Sequence, residues 1–90
     1  MKAVVFYEVS EDVREKAVPH FDAHVARLNE FHARGELLMV GTFADVVKDG
    51  SMAIFTSKEA AEEFVKADPF VVHEIAKRYT IKEWNETLSG

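Results

Sequence analysis

Cysteine is missing from this chain altogether. That absence removes disulfides, thiolate metal sites and cysteine nucleophiles in one step. An excess of positive charge is missing too: eleven Lys and Arg stand against sixteen Asp and Glu, for a formal charge of −5. Neutralising phosphates needs a basic face, so no nucleic-acid partner is expected, and anionic membrane surfaces are disfavoured for the same reason. Long hydrophobic runs are also lacking. The apolar stretch Ala3 to Tyr7, behind Met1-Lys2, is too short for a signal-peptide core and far too short for a membrane span. The expectation is a soluble, cytoplasmic protein. With no linker, repeat or low-complexity run, residues 1–90 are expected to form one domain. A chain this short buries only about 60–65% of its unfolded surface, so its core is modest.

What is present is an ordered series of apolar patterns. Ala3 to Val9 is β-branched and aromatic and reads as a strand. Ser10-Glu11-Asp12 suit a helix start, but Pro19 is tolerated only in a first turn, so the main helix is expected to begin near it after a looser turn at 11–17. Phe21, His24, Val25, Leu28, Phe31 and His32 recur at helical spacing, and Arg34-Gly35 supply the stop. Leu37 to Phe43 and Met52 to Thr56 read as a hairpin turning at Asp49-Gly50. Thr56 or Ser57 can cap a helix over 58–66, which Asp68-Pro69 breaks. A short helical segment over 69–75 and a strand from Tyr79 to Trp84 close the chain. The order β-α-β-β-α-β is that of a ferredoxin-like α+β fold, a four-stranded antiparallel sheet with helices on one face. The first three strands do not alternate apolar with polar: Val4 to Tyr7 and Leu37 to Val40 run together, which implies burial on both faces. Two helices cover one face. A second copy of the chain, packed sheet to sheet as a homodimeric α+β barrel, would cover the other.

The four histidines are the first candidates for chemistry, because histidine titrates near neutral pH. His24 lies on the apolar stripe of the main helix, either as a hydrogen-bonded core residue or as a base lining a pocket. His20 and His24 have the spacing of two zinc ligands. Phe21 stands where the zincin pattern has glutamate and no third ligand is evident, so no metal is expected. Asp68, directly before Pro69, is placed to cap the next helix, and its second oxygen remains able to orient an imidazole. Ser51 reads as a turn residue, Tyr7 and Trp84 as core or pocket wall, and the acidic run at 59–63 as a solvated helix face. No P-loop, dinucleotide fingerprint or nucleophile elbow occurs.

The segment FDAHVARLNEFHARGELLMVGTF, with His24 ahead of the Gly35-Glu36-Leu37-Leu38 strand start, resembles the YCII-related family. The Ala67-Asp68-Pro69-Phe70 tetrapeptide, following a Ser-Lys-Glu-Ala-Ala helix start, is the most specific part of the likeness. Gly50-Ser51 and Glu83-Trp84-Asn85 agree with it, so that the likeness runs from Met1 to about Asn85. The resemblance implies a dimeric ferredoxin-like α+β barrel whose site pairs a helix histidine with the aspartate of Asp-Pro-Phe, here His24 and Asp68. The chain departs from the family's pattern at Val72-His73-Glu74, where a small residue or glycine is usual, which bears on pocket polarity and substrate. Members with a known reaction are similar to lyases or isomerases of oxidised aromatic breakdown products, dehydrochlorination included.

The resemblance therefore implies a cofactor-independent lyase or isomerase. His24 would act as general base, Asp68 would fix its tautomer, and Ser51, Phe70 and Tyr7 would contact a small cyclic substrate. The alternative is a non-enzymatic small-molecule-binding or interaction protein on the same barrel, since fold does not fix function. An oxygenase-type barrel is a third possibility. It would need a reactive substrate or a cofactor, and no haem or flavin signature appears.

Overall fold

The computed structural model describes residues 1–89. Strand β1 (Lys2–Val9) is followed by a short helix α1 (Val13–Ala17), a 3₁₀ turn (Val18–His20) and the long helix α2 (Phe21–Ala33). Strand β2 (Leu37–Thr42), a one-turn helix α3 (Val46–Asp49) and strand β3 (Ser51–Phe55) come next. Helices α4 (Lys58–Ala67) and α5 (Pro69–Val72) lead into the closing strand β4 (Ala76–Trp84). The strands form one antiparallel sheet in the order β2-β3-β1-β4. This is the α+β, ferredoxin-like sheet that the element order implied.

Local chemistry explains where the helices stop and start. Gly35, at φ 78°, ends α2: its N–H donates to the His32 carbonyl and the Glu36 N–H to that of Phe31, closing a Schellman motif. The Ser57 hydroxyl accepts from the Ala60 N–H at 3.1 Å and opens α4. Asp68 caps α5, with Pro69 in the first helical position, where a missing N–H costs nothing.

Several segments differ from the sequence expectation. Residues 13–17 are a full helical turn, held by buried Val13, where a looser turn was expected. Asp49-Gly50 is not the apex of a tight hairpin. It ends α3, whose Asp45 side chain accepts from the Lys48 N–H, and Gly50 supplies the positive φ of 76° that turns the chain into β3. The dipeptide signal registered the dihedral angle and missed the extra turn of helix. The last short helix also stops at Val72, and β4 starts three residues earlier than expected.

The core lies between the sheet and α2 with α4. Ala3, Val5 and Tyr7 of β1 and Ala53 and Phe55 of β3 face inward, against Phe31 of α2 and Phe64 of α4. The Phe31 and Phe64 rings meet edge to face at 5.2 Å, and Phe55 lies 5.2 Å from Phe64. Arg27 ties the two helices together from outside: Nε donates to the Phe64 carbonyl at 3.0 Å, and its guanidinium lies over both Phe31 and Phe64.

Strand β2 carries a bulge. Leu37 opposes Phe55 while Met39 opposes Ile54, so Leu38 is the extra residue and Val40 comes to the inner face opposite Ala53. Burial on both faces is not met within one chain. Leu37 is buried, but Met39 is 67% exposed, and the outward residues Phe6, Met52 and Ile54 are only half-buried. No helix among the described residues is long and apolar enough to cross a membrane.

Gly50 and Gly35 allow a controlled comparison. Both hold positive φ, yet a Cβ at Gly35 meets nothing within 4 Å, while one at Gly50 would stand 1.9 Å from the Tyr7 carbonyl oxygen. Gly35→Ala should cost about 1 kcal/mol, the ordinary left-handed penalty. Gly50→Ala should cost about 3 kcal/mol or more, because strand β1 must move as well. Urea denaturation of the two variants tests the difference.

Candidate functional site

Tyr7, His24 and Asp68 come from three distant stretches of sequence and meet at one end of the core. Strand alternation turns Tyr7 inward from β1, as it does Ala3, Val5 and Val9. The apolar stripe of α2 brings His24 to the same side. The junction of α4 and α5 delivers Asp68, whose side chain is wholly buried.

A buried carboxylate must have its oxygens satisfied, and Asp68 has three partners. The Tyr7 hydroxyl donates to Oδ2 at 2.5 Å. The Phe70 N–H donates to Oδ1 at 3.2 Å, and His24 Nδ1 lies 2.7 Å from that same oxygen. A carboxylate can only accept, so Nδ1 carries the proton, and His24 presents Nε2 away from the pair. Phe70 stacks flat on the imidazole, with ring centroids 3.7 Å apart and planes 4° from parallel. The ring is thus held at its edge by the carboxylate and on one face by the phenyl group.

Burial pushes the Tyr7 phenol well above its ordinary value of 10.0, and the neighbouring Asp68 charge adds to the effect. Tyr7 therefore remains a donor throughout the neutral range.

Over this trio opens a cavity of about 470 Å³, with a predominantly apolar lining. His24, Tyr7, Ser51 and Phe70 all line it, so four of the five residues singled out from the sequence share one space. Asp68, the fifth, stands behind His24, out of the lining. Sequence reading placed Tyr7 in the pocket wall but missed that its hydroxyl is committed to Asp68, 61 residues away. Period-two alternation along β1 was the available signal for its inward direction. Arg14, which also lines the cavity, went unremarked because residues 11–17 were read as irregular.

The other histidines have separate places. His20 does not join His24: it stacks on His73 at 3.8 Å, and neither lines the cavity. His32 Nδ1 sits 2.9 Å from the Leu37 carbonyl, at the start of β2. Among the described residues, no group of three or more His, Asp or Glu is arranged to hold a metal ion.

A model of the YCII-related domain matches residues 1–85. Protein YciI from Escherichia coli and from Shigella flexneri are each 30% identical over 98 residues, covering 98% of this chain and 100% of each relative. Among solved structures, the 5-chloro-2-hydroxyhydroquinone dehydrochlorinase of Burkholderia phenoliruptrix, in complex with 2,5-dihydroxybenzoquinone, superposes with a TM-score of 0.71. It is 20% identical, with 94% of each chain covered, which is a likeness of fold.

The Tyr7–Asp68 contact sets a pH dependence. The unfolded chain releases the phenol proton near pH 10 and the folded chain keeps it, so stability falls as pH climbs past that value. Tyr7→Phe should remove this alkaline loss. It should also cost about 1–3 kcal/mol at neutral pH, because a buried Asp68 oxygen loses its donor. Thermal melts of both proteins at neutral and alkaline pH check both effects.

Proposed function

The chain belongs to the YCII-related domain family, and we propose that it is a cofactor-independent lyase or isomerase that removes a proton from a small cyclic carbonyl or phenolic compound. The observation that carries this reading is the His24 Nδ1 to Asp68 Oδ1 contact of 2.7 Å, made to a fully buried carboxylate at the wall of an apolar cavity. The dehydrochlorinase with the same fold supports elimination as the reaction type.

In this mechanism Nε2 of His24 takes a proton from a carbon beside a carbonyl, or from a phenolic hydroxyl. The C–H electron pair passes to the carbonyl oxygen as an enolate, whereas an O–H pair stays on its own oxygen as a phenolate. Return of the pair either expels a leaving group such as chloride or places a proton on another carbon. The imidazolium formed on His24 is stabilised by the Asp68 carboxylate, which holds the tautomer without taking the proton. Face-on contact with Phe70 favours the cationic ring as well. Ser51 supplies a hydroxyl to the developing oxyanion from the β3 side of the cavity. General acid–base catalysis of this kind contributes about 10²–10⁴-fold, which is the loss expected for His24→Ala on a turned-over substrate.

The same reading includes a homodimer formed through the outer sheet face, where Met39, Met52, Ile54 and Phe6 form an apolar field. A small domain gains from sharing such a face with a second copy. Sedimentation should give a dimer, and Ile54→Lys a monomer.

NMR of the assigned imidazole N–H protons tests the pair directly. In Asp68→Asn the Nδ1-bound proton of His24 should exchange with solvent faster than in wild type, because a neutral amide oxygen accepts more weakly than a carboxylate. A His24 N–H that exchanges identically in both proteins overturns the dyad and leaves Asp68 as a helix cap.

A further inference from the structure

We infer that Arg14 is the anion-binding, specificity-determining residue of the cavity, and that the pocket selects flat ligands carrying an anionic oxygen over their neutral analogues. The inference rests on the cavity being a ligand site, as proposed above, and deepens that reading by naming the charge of the ligand.

Four arginines occur in the chain, and three are committed elsewhere. Arg27 donates to the carbonyls of Glu63 and Phe64. Arg34 pairs with Glu30, Glu36 and Glu63, and Arg78 with Glu8. Arg14 alone among them has no hydrogen bond or ion pair among the described residues, although acidic side chains outnumber basic ones sixteen to eleven. Glu11 and Asp45 share the groove on its outer side, yet neither pairs with it. Arg14 is an exposed residue, and it lines the same cavity as His24.

The placement is fixed by packing. Val13, buried beside Val9 and Ile75, and Ala17, which packs on the same cluster, anchor α1 across this end of the cavity. Arg14, between these anchors, also lines the outer groove, so it stands where the cavity meets that groove. No lysine, aspartate or glutamate lines the cavity. A ligand entering it therefore meets apolar walls, the hydroxyl side chains Ser51 and Thr42, the imidazole of His24 and one permanent positive charge. The guanidinium does not titrate and presents a planar fork suited to phenolate, enolate or carboxylate oxygens. Its charge opposes the net −5 of the protein, which would otherwise repel such ligands.

The test uses 4-nitrophenolate and its neutral analogue 4-nitroanisole, with binding to the full chain followed by calorimetry. Wild type should bind the phenolate about five- to tenfold more tightly than the anisole, an advantage that weakens as salt is added. Arg14→Gln should abolish the preference, and Arg14→Lys should restore part of it. A preference that survives in Arg14→Gln, or none in wild type, overturns the assignment and leaves the His24–Asp68 mechanism standing. Failure of both probes to bind wild type overturns it together with the ligand pocket. Loss of the mechanism alone would appear as a His24 N–H exchange rate indifferent to Asp68→Asn with the Arg14-dependent preference intact.

Discussion

A carboxylate withdrawn completely from water must be met by donors on both oxygens, or the chain around it does not fold as drawn. Asp68 takes those donors from β1, α2 and its own helix α5. The sheet, the long helix and the break between α4 and α5 are therefore tied at a single side chain. The rest of this end of the molecule follows from that knot. Pro69 stops α4 where Asp68 can turn inward, and Gly50 lets the chain pass close beneath the Tyr7 carbonyl so that β1 stays in place. The cavity opens where the three elements meet.

Much of this was legible in the sequence, for identifiable reasons. Strands rich in Val, Ile and Phe, the helical spacing from Phe21 to His32, Gly35 as a stop and Asp68-Pro69 as a break are local signals, and each was realised within a few residues. The obscured parts are those that depend on distance or on weak local pattern. Helix α1 has a single buried anchor, Val13, among charged neighbours, too little for periodicity to reveal. Helix α3 is one turn long and hides inside what reads as a hairpin loop. The bulge at Leu38 reverses which of the later β2 residues face inward, and an unbroken apolar run has no alternation that could betray it.

The site divides along the same line. Motif likeness pointed to His24 and Asp68, and capping chemistry gave Asp68 a second duty that the structure retains, since Oδ1 accepts from the Phe70 N–H as well as meeting His24. The Tyr7 hydroxyl and the uncommitted Arg14 carry no motif. Each is identified only by what stands near it, or fails to, once the chain has folded.

The face-on stack of Phe70 against His24 has a magnetic consequence. An imidazole lying 3.7 Å above a phenyl ring, nearly parallel to it, sits in the shielding zone of that ring's circulating electrons. Its carbon-bound protons resonate upfield of those of a histidine in solvent, and they do so only while α5 holds the phenyl ring in register with α2. The protein thus contains its own spectroscopic gauge of site assembly. One pair of proton signals distinguishes a formed pocket from a molecule whose secondary structure persists but whose two helices have drifted apart.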